Sequence, residues 1–233
     1  MNNISLNPLV LVIATIALFI TGLSIYISRV YLPEKIRRAY RKSITALAAA
    51  VETKDSGTVG HAQRVAKLTV DVARRAGVSG RDLERIEYAA LLMDIGKANV
   101  PQSILKKTEP LTQDEWEIIK SHPRLGSEMV KAIPYLADTA DYIDHHHEYW
   151  DGSGYPDALA KDKIPMGSRI LCIAADYDAM VSDRPYHPRP LTRQEALEEI
   201  ERGAGTKYDP VVAQIFIEMV WTETSEEESI IAA

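Results

Sequence analysis

The N-terminal segment is the feature that most constrains the fold of this chain. The first 28 residues contain no charged side chain, and residues 8 to 28, PLVLVIATIALFITGLSIYIS, are mostly apolar. A helix of that length, at about 1.5 Å per residue, spans a bilayer core of roughly 30 Å. The sequence therefore predicts one transmembrane helix within residues 1–30. A cleaved signal peptide, which would have a basic start and a shorter apolar core, and a buried hydrophobic helix are the alternatives.

Basic residues follow the apolar segment directly. One acid, Glu34, lies among six bases, which are Arg29, Lys35, Arg37, Arg38, Arg41 and Lys42. The positive-inside rule then places residue 29 onward in the cytoplasm. We expect a single-pass protein of the inner (cytoplasmic) membrane with its C-terminal domain in the cytoplasm. Residues 31–54 are predicted to form a basic juxtamembrane helical linker, with residues 29–42 lying against anionic lipid.

The same linker has small side chains that allow another helix to approach closely. They are Ala46, Ala48, Ala49 and Ala50. Residues 34 to 54 are therefore a candidate surface for a homodimer, or for contact with a sensor or signalling protein partner.

The charge balance of the remaining chain excludes some functions. The chain has 27 bases and 33 acids, and removing the six bases and one acid of the linker leaves residues 43 to 233 with a net charge of −11. Such an acidic domain is not expected to bind DNA. A phosphate-bearing substrate would need local bases or a metal ion to overcome this field. The single cysteine excludes a disulfide framework and is compatible with a reducing compartment.

The pattern after the linker is helical throughout. Apolar residues Val65, Leu68, Val72 and Ala76 recur at helical spacing, and no segment alternates with a period of two. Further helices are expected near 122–133, 135–147 and 167–182, with a loop at 149–163. The sequence predicts an all-α domain over residues 55–222 and a frayed C-terminal tail over residues 223–233.

Helix starts are marked by two capping boxes and one capping aspartate. Thr112 with Glu115 and Thr192 with Glu195 have the spacing in which the two residues cap each other's backbone N–H. Asp209 followed by a proline predicts the start of the last helix.

Candidate metal ligands are dispersed along this helical domain. They are His61, Asp94, His122, His146 and His147. Ligands from several helices suit a site inside a bundle, and imidazole with carboxylate favours iron, manganese, zinc or nickel over calcium or magnesium. A carboxylate that bridges two metals is a common means of activating water against a phosphodiester. Solvated histidines are the alternative, since a helix C-terminus favours cations.

Six segments occur in an order that resembles a known family. They are HAQRV from residue 61, DIGK from 94, ILKKTEPLTQDEW from 104, HP from 122, HHEYWDGSGYP from 146 and DAMVSDRPY from 178. Together they resemble the HD-GYP family, metal-dependent phosphodiesterases within the HD superfamily, over about residues 50–220. The resemblance implies an HD-GYP-type helical bundle and a divalent transition metal cofactor, iron or manganese, with one or two ions. It also implies cyclic di-GMP or a related nucleotide as the ligand.

The resemblance also assigns a role to each matching residue. His61 matches the first ligand, Asp94 the bridging aspartate of the HD doublet, His122 a third-helix ligand, and His146 with His147 the paired histidines. Asp94 and Lys97 are the expected catalytic residues. Three residues are expected to bind the substrate. Lys97 would contact a phosphate, Tyr155 would line the binding cleft, and Arg184 would contact a guanine or a phosphate.

Two positions depart from the family pattern. The histidine of the HD doublet is Met93, and the last metal-binding aspartate is Ala175, with Asp176 beside it. A thioether is a poor donor to such ions, and Asp176 lies about 100° further round the helix, so it could ligate only if the helix rotated. Because both lost ligands serve the same metal in the family, impaired hydrolysis is expected. The alternative is a non-catalytic module that binds cyclic di-GMP or a protein.

Overall fold

A computed structural model describes the backbone of residues 7–54, 60–183 and 189–231, and side chains as far as residue 222. Its described part is helical, with no strand beyond one isolated bridge between Ala204 and Tyr208. The predicted all-α fold class is therefore confirmed. The chain divides into two compact units, Met1–Ser43 and Ile44–Ala233.

The N-terminal unit is built on a long helix. Helix α1 (Pro8–Tyr26) starts where the Asn7 side chain accepts a hydrogen bond from the Leu9 N–H, and a π-helical turn (Ile27–Tyr31) leads into helix α2 (Leu32–Glu52). The turn ends two residues before Pro33, which lacks an N–H and would disturb a regular α-helix. Within the described residues, Pro8–Glu52 is the helix long and apolar enough to cross a membrane.

The second unit contains the end of α2, from Ile44 to Glu52, and the remaining helices. They are α3 (His61–Arg75), α4 (Gly80–Leu92), α5 (Gln102–Leu105), α6 (Gln113–Lys120), α7 (His122–Lys131), α8 (Ala140–Asp144), α9 (Met166–Val181), α10 (Arg193–Gly203) and α11 (Pro210–Ile231). Short 3-10 turns occupy Ile95–Asn99, Ala137–Thr139 and Lys161–Lys163.

The apolar core of this unit is centred on α9. Its Ile170, Leu171 and Ile173 are completely buried, and α9 contacts α3, α4, α8, α10 and α11. On α3, Val65 and Val72 of the predicted stripe are also fully buried. A fully buried aliphatic side chain stabilises the fold by about 1.5–3 kcal/mol relative to an exposed one. Burial of these faces therefore holds the helices together and fixes the helix ends that carry the polar site.

The predicted helix caps are present. Both capping boxes form reciprocally, at Thr112 with Glu115 and at Thr192 with Glu195. The Asp209 carboxylate accepts the N–H of Val211 at 2.9 Å. Caps are predictable from sequence because donor and acceptor lie within three residues of each other.

The predicted helix over 135–147 is wrong. A 3-10 turn is followed by the short α8, and His145, His146 and His147 lie in a turn beyond its end. The His145 and His146 rings donate their Nδ1–H to the carbonyls of Asp141 and Ile143, at 2.9 and 2.6 Å. Side-chain donors thus bind carbonyls at the helix end. At the C-terminus, α11 runs on to Ile231, so the backbone stays helical where a separate tail was expected.

A close contact between two glycines fixes one side of the polar site. A Cβ on Gly96 would lie 2.0 Å from the His122 carbonyl oxygen and 2.7 Å from the Gly126 nitrogen. The turn after α4 therefore packs directly against the main chain of α7, and no larger residue fits at Gly96.

We expect Gly96→Ala to destabilise the fold. Forcing extra volume into a packed interior costs about 1–3 kcal/mol, and the neighbour here is backbone that cannot rotate away. Each kcal/mol lowers the unfolding midpoint by about 2–4 °C for a chain of this size. Thermal unfolding of the purified chain checks this. Gly126→Ala is the graded control, because its Cβ meets only contacts of 3.2–3.3 Å and should have a smaller effect. Equal midpoints for Gly96→Ala and the unaltered chain would contradict the packing argument.

Candidate metal centre

Three of the predicted ligands converge on one point. His122 is the first residue of α7, while His146 and His147 follow α8. One possible ligand atom from each lies within 4.8 Å of the others. The ring centroids are 5.4 Å apart for His122 and His146, 5.2 Å for His122 and His147, and 4.1 Å for the neighbouring pair. The contact between α7 and α8 therefore brings residues separated in sequence into one group.

The hydrogen bonds of these rings leave nitrogen lone pairs directed into the group. His122 Nδ1–H donates to the Ile119 carbonyl at 2.7 Å, and His146 Nδ1–H donates to the Ile143 carbonyl at 2.6 Å. Since a carbonyl can only accept, the Nε2 atom of each neutral ring keeps a free lone pair. His122 Nε2 is buried and has no hydrogen-bond partner among the described residues. A metal ion would satisfy this buried nitrogen, so the residues present fit a metal.

Burial also keeps the three imidazoles neutral. It lowers the pKa of His122 to about 3, lowers the pKa of His146, and lowers that of His147 well below its usual value. Neutral imidazole is the form that binds metal, so no proton has to leave at neutral pH. The Tyr155 ring stacks on His147 with centroids 4.8 Å apart and an interplanar angle of 22°.

The Asp94 carboxylate lies between two sets of partners. Its Oδ1 is 3.5 Å from His122 Nε2, while its Oδ2 is 3.9 Å from His61 Nε2 and 3.1 Å from Lys97 Nζ. Burial by itself would raise the pKa of this carboxyl, but the positive charge of Lys97 opposes it, and the pKa lies well below its usual value. Asp94 therefore has one oxygen on each side, as a bridging ligand would.

His61 is oriented by a pair of residues that sequence reasoning missed. Its Nδ1–H donates to Asp178 Oδ2 at 2.7 Å, and Arg64 Nε donates to Asp178 Oδ1 at 2.6 Å. Burial would raise the pKa of Asp178, but the hydrogen bonds from His61 and Arg64 lower it to about 2. An ionised Asp178 fixes the ring so that Nε2 faces Asp94. Arg64 lies in the segment HAQRV and Asp178 in the segment DAMVSDRPY. Their place in these family-like segments is the sequence signal that could have identified them.

Of the two departures, Met93 lies near His61, since both line one cavity with Asp94. Met93 is 2% exposed and belongs to the apolar core, and Ala175 packs against that core. The carboxylate of Asp176 is bound by the Tyr208 hydroxyl at 2.9 Å and by Lys207 Nζ at 2.8 Å, and it is not part of the histidine group. The cavity is small, about 20 Å³, and lies on the His61 side of Asp94, lined in part by His61, Met93 and Lys97.

A second polar group braces the loop over residues 149–163, which carries Tyr155 and is called the signature loop below. Arg124 donates to Asp144 at 2.6 Å and to Asp157 at 2.7 Å, and His145 Nε2 lies 3.1 Å from Asp157. The guanidinium already supplies the cation that these carboxylates need. Buried Glu148 accepts the N–H of Asp157 at 2.7 Å and that of Leu159 at 3.1 Å. The loop that presents Tyr155 is thus tied to α7 and α8. The predicted substrate residue Arg184 lies outside the described residues.

Comparisons with known proteins agree with this geometry. A family model described as "HD domain" matches residues 45–212. The chain is 40% identical over 171 residues to a Thermotoga maritima protein named cyclic di-GMP phosphodiesterase, covering 72% of this chain and 46% of that protein. It is 36% identical over 178 residues to a Xanthomonas campestris protein named cyclic di-GMP phosphodiesterase response regulator, covering 76% and 47%. The chain therefore spans about half the length of these relatives.

A solved structure supports the fold. The cyclic GMP-AMP specific phosphodiesterase of V. cholerae matches with a TM-score of 0.62 and 19% identity, over 76% of this chain and 47% of that one. The matched family model and the relatives identify the chain as a member of the HD domain family, in its HD-GYP branch.

Proposed function

We propose that this chain is a membrane-anchored, cytoplasmic HD-GYP domain that hydrolyses a phosphodiester bond of cyclic di-GMP or a related nucleotide, with activity impaired at Met93 and Ala175. The observation that carries the proposal is the meeting of three neutral imidazoles, those of His122 and His146 buried and that of His147 half-buried, beside the Asp94 carboxylate. A domain this acidic needs such a centre, together with local bases, to hold an anionic substrate.

Different side chains would bind the metal and contact the phosphate in the proposed reaction. His122, His146 and His147 would hold an iron or manganese ion, with the Asp94 carboxylate beside them. Such an ion would supply the Lewis-acid charge that activates water and neutralises the phosphodiester. Lys97, 3.1 Å from Asp94, keeps that carboxylate ionised and carries a positive charge to the phosphate.

The impairment follows from what lines the His61 side of Asp94. His61 and Asp94 remain there, but Met93 offers a thioether and Ala175 offers nothing. We infer one well-supplied ion position and one weak position. A single ion clamps the phosphodiester less completely than a pair, which stabilises both attacking and leaving oxygens.

The alternative function is a non-catalytic module that binds the nucleotide or a signalling partner. The burial of Met93 in the apolar core favours it, because the position has become a packing position. Lys97 and Tyr155 are retained and would serve binding alone as well as they serve hydrolysis. A homodimer through residues 34 to 54 stays a prediction under both functions.

Restoring the two lost ligands should separate these functions. We expect the unaltered full chain, purified in detergent, to bind one equivalent of Mn²⁺ and to hydrolyse cyclic di-GMP slowly. Met93→His with Ala175→Asp should raise the bound metal towards two equivalents and the rate by about 100-fold, comparable with a preorganised charge-stabilising group. Metal analysis and nucleotide chromatography measure the two quantities.

The matched control is Met93→Leu with Ala175→Ser, which changes the same positions without adding metal ligands. Two equivalents of metal and fast hydrolysis in the unaltered chain would refute the impairment. Metal binding without any hydrolysis, in both the unaltered and the restored chain, would favour the non-catalytic module.

Lys97 should contribute to nucleotide affinity in either function. A hydrogen bond to a charged group is worth about 1.5–3 kcal/mol, so Lys97→Met should weaken cyclic di-GMP binding by about tenfold or more. Titration calorimetry measures the affinity. Lys67→Met removes the same charge from the exposed face of α3 and should leave the affinity unchanged. Equal losses in both variants would show that only net charge matters.

The membrane anchor has its own test. We expect the full chain to stay in the membrane fraction after washing with alkaline carbonate, because Pro8–Glu52 carries an uncharged apolar stretch followed by bases. Arginine at a helix centre costs about 2.5–3.5 kcal/mol per residue, so Ile13→Arg with Ile16→Arg should release the chain. Release of the unaltered chain, or its recovery in a shortened form, would contradict a retained span.

A further inference from the structure

The end of helix α2 is bound to the start of helix α3 by one buried carboxylate. Glu52, the last residue of α2, is 8% exposed. Its Oε1 accepts the backbone N–H of Ala62 at 2.5 Å, and its Oε2 accepts the backbone N–H of Gly60 at 2.8 Å. These two N–H groups flank His61 in the chain.

The N-terminus of α3 needs a hydrogen-bond acceptor of this kind. The first N–H groups of a helix have no acceptor within it, and the N-cap position here is Gly60, in the left-handed region with φ of 85° and no side chain. Glu52 supplies the missing acceptor from another helix, and its negative charge suits the positive end of α3. The main chain of His61 is thereby held on both sides.

His61 is fixed at its ring as well as at its backbone. Asp178 accepts the Nδ1–H of the ring at 2.7 Å, which directs Nε2 to within 3.9 Å of Asp94 Oδ2. Glu52 and His61 line the same cavity, together with Asp94 and Lys97. Ligands must be held within about 0.5 Å of their working geometry, so the anchor on the main chain matters as much as the one on the ring.

We propose that Glu52 is a positioning residue for the metal centre, which sets His61 as a ligand by binding the N–H groups on either side of it. The proposal rests on the proposed function in taking His61 as a ligand. Because Met93 and Ala175 offer no ligand on this side, the placement of His61 determines what the His61 side of Asp94 can bind.

Binding of Co²⁺ tests the proposal without using hydrolysis. Co²⁺ is an absorbing probe whose visible bands report the number and arrangement of its ligands. In the full chain in detergent, Glu52→Gln leaves one acceptor oxygen for two N–H groups. We expect it to weaken binding of the second, more weakly held Co²⁺ equivalent, at the His61 position, by about 10–100-fold, as residues that orient a ligand do, and to shift the visible bands of that equivalent. The equivalent held by His122, His146 and His147 should keep its affinity. Glu52→Asp, which keeps the charge but is shorter, should change the affinity and the bands of the second equivalent in the same direction.

Asp209 provides the matched control. It is also a buried carboxylate that caps a helix, accepting the N–H groups of Val211 and Val212 at the start of α11. Asp209→Asn should lower the unfolding midpoint, as Glu52→Gln does, but should leave Co²⁺ affinity and bands unchanged. Equal Co²⁺ losses in the two variants would show that Glu52 acts only on stability.

A double-mutant cycle identifies the residue through which Glu52 acts. If Glu52 works through His61, Glu52→Gln should add no further loss of Co²⁺ affinity to a chain that carries His61→Ala. Additive losses would overturn the proposal and leave the proposed function standing. A chain that binds no Co²⁺ at all would overturn both.

Discussion

The centre depends on the contact of the turn after α4 with the start of α7. Gly96 lies against the His122 carbonyl so closely that no side chain fits between them. This contact sets the 3.5 Å separation between Asp94 and His122, and α7 in turn packs on α8, which precedes the paired histidines. The polar residues are therefore positioned by backbone packing, and the imidazoles are neutral because that packing buries them.

Buried carboxylates then orient the rings and main-chain segments that helix packing brings together. Asp178 is held by Arg64 and orients the His61 ring, while Glu148 binds two N–H groups of the signature loop. Glu52 binds two N–H groups at the start of α3. A buried charge is costly unless it is paired or fully hydrogen-bonded, and each of these is. They convert the approximate placement given by helix packing into defined positions for the main chain and the rings.

The sequence predicted the parts of this arrangement that depend on local signals. The capping boxes involve residues within a few positions of one another, and the ligand motifs carry family information. The helix over 135–147 was wrong because its imidazoles bind carbonyls that a continued helix would have used. Asp178 lies 117 residues from His61, and nothing local indicates that they meet. Long-range pairs of this kind are decided by packing, which periodicity does not encode.

The two sides of Asp94 differ in whether they contain a buried polar atom without a hydrogen bond. At position 93 a buried imidazole would need a partner, whereas the flexible, apolar Met93 packs in the core without one. On the other side, His122 Nε2 is buried and makes no hydrogen bond among the described residues, with Asp94 Oδ1 3.5 Å away. Leaving such an atom unsatisfied costs about 1–3 kcal/mol. Position 93 therefore has no nitrogen that needs a partner. The side with the three imidazoles still has the free-energy cost of the unsatisfied His122 Nε2. One metal ion bound to His122 Nε2 would remove this free-energy cost. This difference between the two sides supports the inference of one well-supplied metal position and one weakly supplied position.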